Sequence, residues 1–427
     1  MRLKRASCGV VALLASVLVG RAQGADLPAR PAVAVDYVQV CSTHGVGYFA
    51  IPGTETCLRI GGRVRVEYRY LEPGNRASDA ISTRARGRIE LDARTATAYG
   101  ALRTFVRYEV TRNTGSYGSN TFNLDRAFVQ FGGLTAGRTQ SYFDFYTNDY
   151  NFGAILVSDF NTQVLAYSAK FGSGWTASVA LEDGIERRFL RNPNGPDFPG
   201  EAFAPPGLRM PDVVGQLLVD QSWGKAQASA ALHQIRSDNL RPGLVPDFSG
   251  TEYGFAVQGG VQIKLPAIAD GDQLWLQGAY TRGALSYLGF GNTDVGNLGL
   301  TQTDAYVDAL GQTKLSEGWA ANALFLHYWT PGIRQAAFVS YGIIDYPGAA
   351  SFVTPAGGRL GFVGLTDWRV GTNLSWLPTR GFYIGIEGLY RSVDPKGRVP
   401  VDNDPAALRL IGRENAMEAR LRVQRDF

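Results

Sequence analysis

The chain has 427 residues, of which only 19% are charged; Gly (52), Phe (22) and Tyr (20) are abundant, whereas Met and Cys number three each. This composition indicates an all-β protein outside the cytoplasm, and a β-barrel of this length can form a single domain. Residues 1–24 hold four of the 42 basic residues and no acidic one. Without them 38 basic residues face 38 acidic ones, so the charge gives no support for a nucleic-acid partner.

The N-terminus has the features of a secretory signal peptide. A basic start precedes an apolar run, Cys8–Val19, that is too short to span a membrane comfortably. The small residues Ala22-Gln23-Gly24 then suit a cleavage site. We therefore predict three parts: a signal peptide at 1–24, a periplasmic lead-in at 25–57 and a barrel at 58–427.

Two cysteines, Cys41 and Cys57, lie close together in the lead-in. In an oxidising compartment a disulfide between them would stabilise the chain by about 3 kcal/mol on the chain-entropy model. The alternative is a metal site that includes His44, although two sulfurs and one imidazole leave a zinc shell incomplete. We predict the disulfide, with no metal and no cofactor.

The clearest strand signal is Leu58–Tyr70, in which apolar and charged positions alternate strictly. The next predicted strands, Ser82–Thr97 and Ala98–Thr111, also gather arginines and acidic residues on one face. An arginine on the lipid side of a membrane barrel costs roughly 2 to 4 kcal/mol near the midplane. The charged faces are therefore predicted to point into an aqueous lumen, with the apolar faces toward lipid.

Further predicted strands follow, separated alternately by tight turns and longer polar loops, as in outer-membrane barrels. They include Thr121–Phe131, Leu134–Gln140, Gln163–Phe171, Trp175–Glu182, a pair joined at Trp223-Gly224-Lys225, and Gln273–Leu285. Counting every candidate gives about 17, which conflicts with the even strand numbers of bacterial single-chain barrels. The weakest candidate, Thr301–Lys314, is assigned to an extracellular loop, so that Trp319–Trp329 runs down and a transmembrane antiparallel β-barrel of 16 strands results.

Two further segments carry information beyond the apolar–polar alternation of the strands. The stretch Ser141–Thr162 loses the alternation and carries Asp144, Asp149 and Asp159. The last strand ends in Phe427 after apolar residues at alternate positions, which resembles the C-terminal signal read by the barrel-assembly machinery. Arg425 departs from that pattern, because an apolar residue is usual there.

Several blocks of the chain resemble the alphaproteobacterial porins, the family of the Brucella and rhizobial general porins. The N-terminal block is Val38-Gln39-Val40-Cys41, Gly47-Tyr48-Phe49 and Ile51–Gly62, and later blocks are Gly137–Asp144, Leu181–Gly184 and His327–Pro331. The resemblance implies a homotrimeric, water-filled channel in the outer membrane of a Gram-negative bacterium. Its surroundings would be outer-membrane lipid and lipopolysaccharide, and small hydrophilic solutes would cross it by passive diffusion.

The resemblance also implies that the loop after the fifth strand folds into the lumen, which makes Ser141–Thr162 the constriction loop. Its Asp144, Asp149 and Asp159 would face a basic wall, and opposed charges across a narrow passage create a transverse field that orients dipolar solutes. The predicted wall consists of Arg63, Arg65, Arg84, Arg86, Arg88, Arg103, Arg107 and Arg138. Alternatively, each of these arginines forms a structural salt bridge with Glu67, Glu90, Asp92 or Glu109. Asp159 could instead lie at the end of the loop, outside the constriction.

Two other function classes have less support in the sequence. An enzyme is not predicted, because the chain has no G-x-S-x-G motif and the three histidines after the signal segment are far apart in sequence: His44, His233 and His327. The closer alternative is a substrate-selective channel for sugars, phosphate or dicarboxylates on the same barrel. It would need a continuous aromatic track, and the candidates are scattered: Tyr142, Phe143, Phe145 and Tyr146.

Overall fold

Sixteen antiparallel strands form a closed barrel in the computed structural model of the chain. The structure describes residues 39–189, 203–204, 207–239, 250–290, 298, 300, 302–307, 312–347, 350–353, 357–401 and 409–427. The barrel strands are β1 Thr56–Leu71, β2 Ile81–Thr97, β3 Gly100–Asn113, β4 Thr121–Phe131, β5 Leu134–Gln140, β6 Asn161–Phe171, β7 Trp175–Glu182, β8 Asp212–Gln221, β9 Gly224–Asn239, β10 Gly250–Lys264, β11 Gln273–Arg282, β12 Glu317–Thr330, β13 Ile333–Asp345, β14 Leu365–Thr379, β15 Phe382–Pro395 and β16 Glu414–Asp426. Each strand pairs with the next along the chain, and β1 also pairs with β16, which closes the barrel.

Short elements decorate this barrel. The 3-10 turns are Ser42–His44, Gly115–Tyr117 and Leu285–Leu288, and the one short α-helix of the described residues is Gly184–Arg187. Small strands lie at Phe49–Ala50, Phe203–Ala204, Ala305–Val307, Thr313–Leu315, Ser351–Val353, Arg359–Gly361, Val399–Pro400 and Leu410–Ile411. Within the described ranges, no helix is both long and apolar enough to cross a bilayer.

The predicted parity of the barrel is confirmed. Two short strands, Ala305–Val307 and Thr313–Leu315, pair with each other outside the barrel sheet, so the described part of Thr301–Lys314 adds no barrel strand. The third strand was predicted at Ala98–Thr111 but runs from Gly100, because Ala98 and Tyr99 form the tight turn from β2.

Strand connections alternate between tight turns at one end of the barrel and longer loops at the other. Phe131 pairs with Leu134 across the predicted Gly132-Gly133 turn, and comparably tight turns join β12 to β13 and β14 to β15. Short turns mark the periplasmic end of an outer-membrane barrel. The start of β1 and the end of β16 lie at that same end, since Arg63 pairs with Asp426.

The seam between the first and last strands is completed by the last residue. The Phe427 N–H donates to the Gly62 carbonyl at 3.0 Å, and the Gly62 N–H donates to the Phe427 carbonyl at 2.9 Å. The outer face nearby is apolar and exposed, as at Val64 and Tyr68. The role of Phe427 as an assembly signal stays a prediction.

The disulfide between Cys41 and Cys57 is present, with a Cα–Cα distance of 5.9 Å. It ties the lead-in to the start of β1, where Phe49 pairs with Leu58. Since both sulfurs are bonded to each other, they are not thiolate ligands beside His44. The predicted signal peptide, 1–24, and residues 25–38 of the lead-in lie outside the described residues, and the predicted boundaries between the three parts stay predictions.

Candidate pore constriction

The segment between β5 and β6, residues 141–160, lies inside the barrel and is called the inner loop here. It reaches the opposite wall, where the Glu387 carboxylate of β15 accepts the N–H groups of Phe152 at 2.6 Å and Gly153 at 2.5 Å. A carboxylate that accepts two backbone donors in a buried site is a strong anchor. The loop therefore narrows the lumen rather than extending away from the barrel.

The first half of the inner loop is held against the wall formed by β9 to β11. Its Phe143 side chain is fully buried, and the Phe143 carbonyl accepts hydrogen bonds from three polar side chains of that wall. The donors are Gln227 at 3.1 Å, Ser229 at 2.8 Å and Gln258 at 2.7 Å. These inward-facing polar side chains supply the hydrogen-bond donors that the buried backbone carbonyl of the inner loop requires.

The tip of the inner loop is fastened by Asn148, whose φ of 53° makes it the one non-glycine residue with positive φ in the described part of the chain. Asparagine tolerates this left-handed conformation better than most residues. Its amide group donates to Asp159 at 3.1 Å and accepts from Asn151 at 2.7 Å and from the Ile155 N–H at 3.3 Å. One side chain thus links the two arms of the loop.

A polar cavity of about 830 Å³ remains between the inner loop and the wall formed by β1 to β4 and β13 to β16. On one side the loop contributes Asp149 and Asp159. On the other side lie five of the eight predicted arginines, called the arginine wall below: Arg63, Arg65, Arg86, Arg88 and Arg107. The loop side is therefore acidic, whereas arginines outnumber the acidic residues on the wall side.

Most of the arginine wall is also engaged in salt bridges within the wall. Glu109 of β3 binds Arg86 at 3.1 Å and Arg88 at 2.8 Å. Arg107 binds Glu90 at 2.8 Å and Asp125 at 3.3 Å. Lining the cavity and pairing with a neighbouring acid are thus compatible for these residues, because the wide guanidinium group can do both.

Three other predicted arginines lie elsewhere. Arg84 packs over the ring of Tyr117 at 4.0 Å, toward the loop end of the barrel. Arg103 binds Asp92 at 2.9 Å near the periplasmic turn, where it lines a separate vestibule. Arg138 binds Glu186 at 2.7 Å beside the short helix. These three do not border the cavity with Asp149 and Asp159.

Asp144 does not face the cavity either, because its side chain is fully buried at the root of the inner loop. It accepts hydrogen bonds from Ser158 at 2.5 Å and the Phe160 N–H at 2.7 Å, and it pairs with Arg187 at 3.4 Å. The guanidinium group of Arg187 is itself completely buried and lies 4.1 Å from the ring centre of Tyr287. Asp144 therefore holds the two arms of the loop together.

Three further arginines line the cavity without having been predicted: Arg126, Arg334 and Arg422. Arg126 reaches the lumen next to Asp125 because β4 carries one extra residue where it pairs with β3. Successive residues of a regular strand point to opposite faces, and such a β-bulge allows both to face inward. Arg422 lies on β16, and its polar alternation was visible in the sequence, but only barrel closure places it beside β1.

The two cavity-facing acids of the inner loop have perturbed acidities. Desolvation by the surrounding protein raises the pKa of Asp159 to about 6, with the nearby Asp144 acting in the same direction and hydrogen bonds from Asn148 and Gln140 opposing it. Desolvation also raises the pKa of Asp149, while a hydrogen bond from Thr147 lowers it. The negative charge on this side of the cavity is therefore sensitive to mild acid.

Comparison with known proteins agrees with this architecture. The family model described as "Porin subfamily" matches residues 26–418. Porin Omp2b of Brucella suis is 31% identical over 304 residues, which cover 66% of this chain and 75% of that protein. Porin Omp2b of Brucella neotomae is 30% identical over 307 residues, 68% of this chain and 77% of that protein.

Solved structures give the same fold. The outer membrane channel DcaP of Acinetobacter baumannii superimposes with a TM-score of 0.63 at 16% identity, over 87% of this chain and 97% of that chain. The family match and the closed barrel together confirm that the protein is an outer-membrane channel and not an enzyme. The chain belongs to the porin family.

Proposed function

We propose that solutes are selected by size and by a transverse electric field in the cavity between the inner loop and the arginine wall. The observation that supports this most directly is the opposition of charge across one cavity. Asp149 and Asp159 lie on the loop side, and basic residues such as Arg65 and Arg126 lie on the other. Protein walls of low dielectric concentrate such a field in the water between them.

The proposed mechanism involves no bond making. A small polar solute turns its dipole along the field and keeps favourable contacts while it crosses, whereas an apolar solute must displace oriented water without compensation. The arginines can hold their positions because salt bridges fix them, as the pair Arg88–Glu109 at 2.8 Å illustrates. Passive diffusion of small hydrophilic solutes is the proposed outcome.

The rival, a channel selective for a sugar, phosphate or dicarboxylate, has less support from the aromatic residues. Phe143 and Tyr146 are fully buried against the barrel wall and are not available to a passing solute. Phe152 and Tyr383 border the cavity, with ring centres 6.2 Å apart, and they form a local contact rather than a track through the lumen. A general channel is therefore the preferred proposal.

We also propose a homotrimer surrounded by outer-membrane lipid and lipopolysaccharide, as the family resemblance implies. One groove on the outer face supports a protein contact there. The groove is lined by the small residues Gly388 and Ala419. It is also lined by Gln335, whose side-chain amide donates to the Thr372 hydroxyl at 3.0 Å. Polar side chains on a lipid-facing surface are costly, so cover by another subunit would be favourable. Recognition of Phe427 by the barrel-assembly machinery is part of the same proposal.

The location of the constriction can be tested with an introduced cysteine, because the two native cysteines of the described chain are bonded to each other. Asp149→Cys, treated with a neutral maleimide, is expected to lose most of its single-channel conductance. Asp270→Cys is the matched control, since Asp270 is exposed in the turn between β10 and β11. Equal conductance of both variants after labelling would contradict a constriction at the inner loop.

A further inference from the structure

The cavity proposed as the constriction contains more positive than negative side chains. Among the described residues, eight arginines and five acidic residues border it. The arginines are the five of the arginine wall together with Arg126, Arg334 and Arg422, and the acids are Glu109, Asp125, Asp149, Asp159 and Asp426. An excess of this kind can arise from arginines that lack a carboxylate partner, and the contacts of each arginine decide which ones these are.

Five of the eight arginines have a carboxylate within salt-bridge distance. Besides the three bound to Glu109 or Asp125, Arg63 pairs with Asp426, and Arg422 pairs with Glu67 at 2.6 Å. Their charge is compensated locally, because an opposite charge at this distance cancels most of the field seen by a passing ion.

The remaining three arginines have neutral partners. Arg65 donates to the side-chain oxygen of Gln424 at 2.7 Å, and Arg126 donates to those of Asn161 at 3.1 Å and Gln140. Arg334 lies over two aromatic rings, 5.5 Å from each ring centre. No Asp or Glu oxygen of the described residues lies within 4.0 Å of these three guanidinium groups.

Uncharged side chains connect Arg65 to Arg334, although the two arginines lie on β1 and β13. The oxygen of Gln424 that accepts from Arg65 also accepts from the Tyr383 hydroxyl at 3.2 Å. The Tyr383 ring is one of the two below Arg334; the other is that of Tyr150 in the inner loop. Gln424 and Tyr383 therefore link the two guanidinium groups, and neither side chain offers a carboxylate that would neutralise them.

The acids of the inner loop do not neutralise the three arginines. The Asp149 carboxylate accepts a hydrogen bond from the Thr147 hydroxyl. The Asp159 carboxylate accepts hydrogen bonds from the side-chain amides of Asn148 and Gln140. Within the described chain neither carboxylate has a cation within 4.0 Å. The Gln140 side chain links Asp159 to Arg126, since it donates to Asp159 at 3.3 Å and accepts from Arg126, but neither loop acid forms a direct salt bridge with the three arginines.

We infer that this constriction favours anions and that Arg65, Arg126 and Arg334 form its recognition site for small oxyanions. The positive charge of a guanidinium group with only neutral partners is not compensated by a neighbouring carboxylate. Its fork of N–H donors matches the oxygens of a carboxylate or a phosphate. The inference rests on the proposed function, since it needs the cavity to be the permeation path. It adds a preferred solute class to a channel that otherwise selects by size and field.

The test uses the purified channel in planar bilayers under a potassium chloride gradient, with the reversal potential as the readout. The wild type is expected to prefer chloride over potassium. Arg65→Gln, Arg126→Gln and Arg334→Gln should each lower the anion-to-cation permeability ratio roughly two- to fivefold, the size expected for one unit charge beside an ion in a watery passage. Arg65→Lys keeps the charge and should stay near the wild type. Arg138→Gln is the control, because Arg138 is paired with Glu186 outside the cavity.

Inorganic phosphate and succinate are then added separately to distinguish the two oxyanion sources. Reduced chloride current with one of them, weakened in the Arg65→Gln and Arg334→Gln variants, would support the site and name the source. A conducting channel that prefers potassium, or the same ratio in all glutamine variants and the control, would overturn the inference. Block by neither oxyanion would overturn the oxyanion site. If no conductance appears at all, it is the proposed function that fails.

Discussion

Asp159 lies at the proposed constriction, and its charge changes at mildly acidic pH. Its carboxylate is exposed to the cavity, and desolvation by the surrounding protein raises its pKa to about 6. A raised pKa means that the folded protein binds a proton that the unfolded chain would already have lost. Ionisation of Asp159 therefore costs stability as the pH rises from about 4 to about 6, and the carboxylate regains its neutral form on mild acidification.

We predict that lowering the pH from about 7.5 to about 5 increases the preference for anions. Asp159 changes from almost fully ionised to about one-tenth ionised over this range, while the arginines keep their charge. The measurement is the reversal potential in a salt gradient at a series of pH values. Asp159→Asn should begin with the higher anion preference and respond less to pH. An identical pH response in that variant would exclude Asp159 as the titrating group.

At the scale of elements, the position of the inner loop depends on a few polar anchors of the barrel wall. Glu387 accepts two backbone N–H groups from the loop and a third hydrogen bond from Asn373 at 3.0 Å. On the neighbouring strand, Arg369 donates to the Ala154 carbonyl at 2.9 Å. The loop has almost no regular secondary structure, so these wall contacts take the place of a hydrogen-bonded ladder.

Glu387→Ala is predicted to loosen the inner loop. The change leaves two buried N–H groups without an acceptor, which costs about 2 to 4 kcal/mol of local stability. Single-channel recordings should become noisier, and limited proteolysis should cut within residues 141–160 sooner. Glu317→Ala is the control, since Glu317 is half exposed and pairs with Arg282 at 3.5 Å, away from the loop. Unchanged noise and cleavage in Glu387→Ala would show that the other anchors are sufficient.

Barrel closure depends on a glycine at the seam between β1 and β16. A Cβ on Gly62 would lie 2.6 Å from the Arg88 carbonyl and 2.5 Å from the ring of Phe427. Neither distance is possible without movement of the neighbouring strand or of the terminal residue. The absence of a side chain therefore lets β2 and the C-terminus approach β1 from both sides.

Gly62→Val is accordingly predicted to reduce the yield of closed barrel. The fraction that keeps heat-modifiable migration in gels after refolding should fall clearly below that of the wild type, because the branched side chain meets backbone on one side. Gly87→Val is the matched control on β2, since a Cβ there meets no atom within 4 Å. A folded fraction of Gly62→Val equal to that of the control would argue against the close seam.

For the whole molecule, the sequence was sufficient to predict the barrel but not the full composition of its constriction. Strict alternation located β1, and parity correctly removed Thr301–Lys314 from the strand count, because both follow from the pleat and from closure. Arg126 could not be predicted, because a bulge changes which face a residue occupies without leaving a clear signal in one sequence. Asp144 was assigned to the cavity because loop acids look alike until their partners, here Arg187, are known.

Two other arginines of the cavity were not predicted because they come from strands that are distant in sequence from β1 to β3. Arg334 reaches the cavity from β13, far along the chain from the arginines of β1 to β3. Arg422 enters it because the last strand pairs with the first. Such neighbours are set by the circular order of strands, so they become predictable only after the strand number and the closure are fixed.

The most direct test of the account is single-channel conductance of the purified protein in planar bilayers over a wide range of salt concentration. A water-filled diffusive pore predicts ohmic steps whose size rises in proportion to the conductivity of the bath, with little block by added neutral sugars. Conductance that saturates with salt, or strong block by one sugar, would contradict the account and indicate a substrate-selective channel instead.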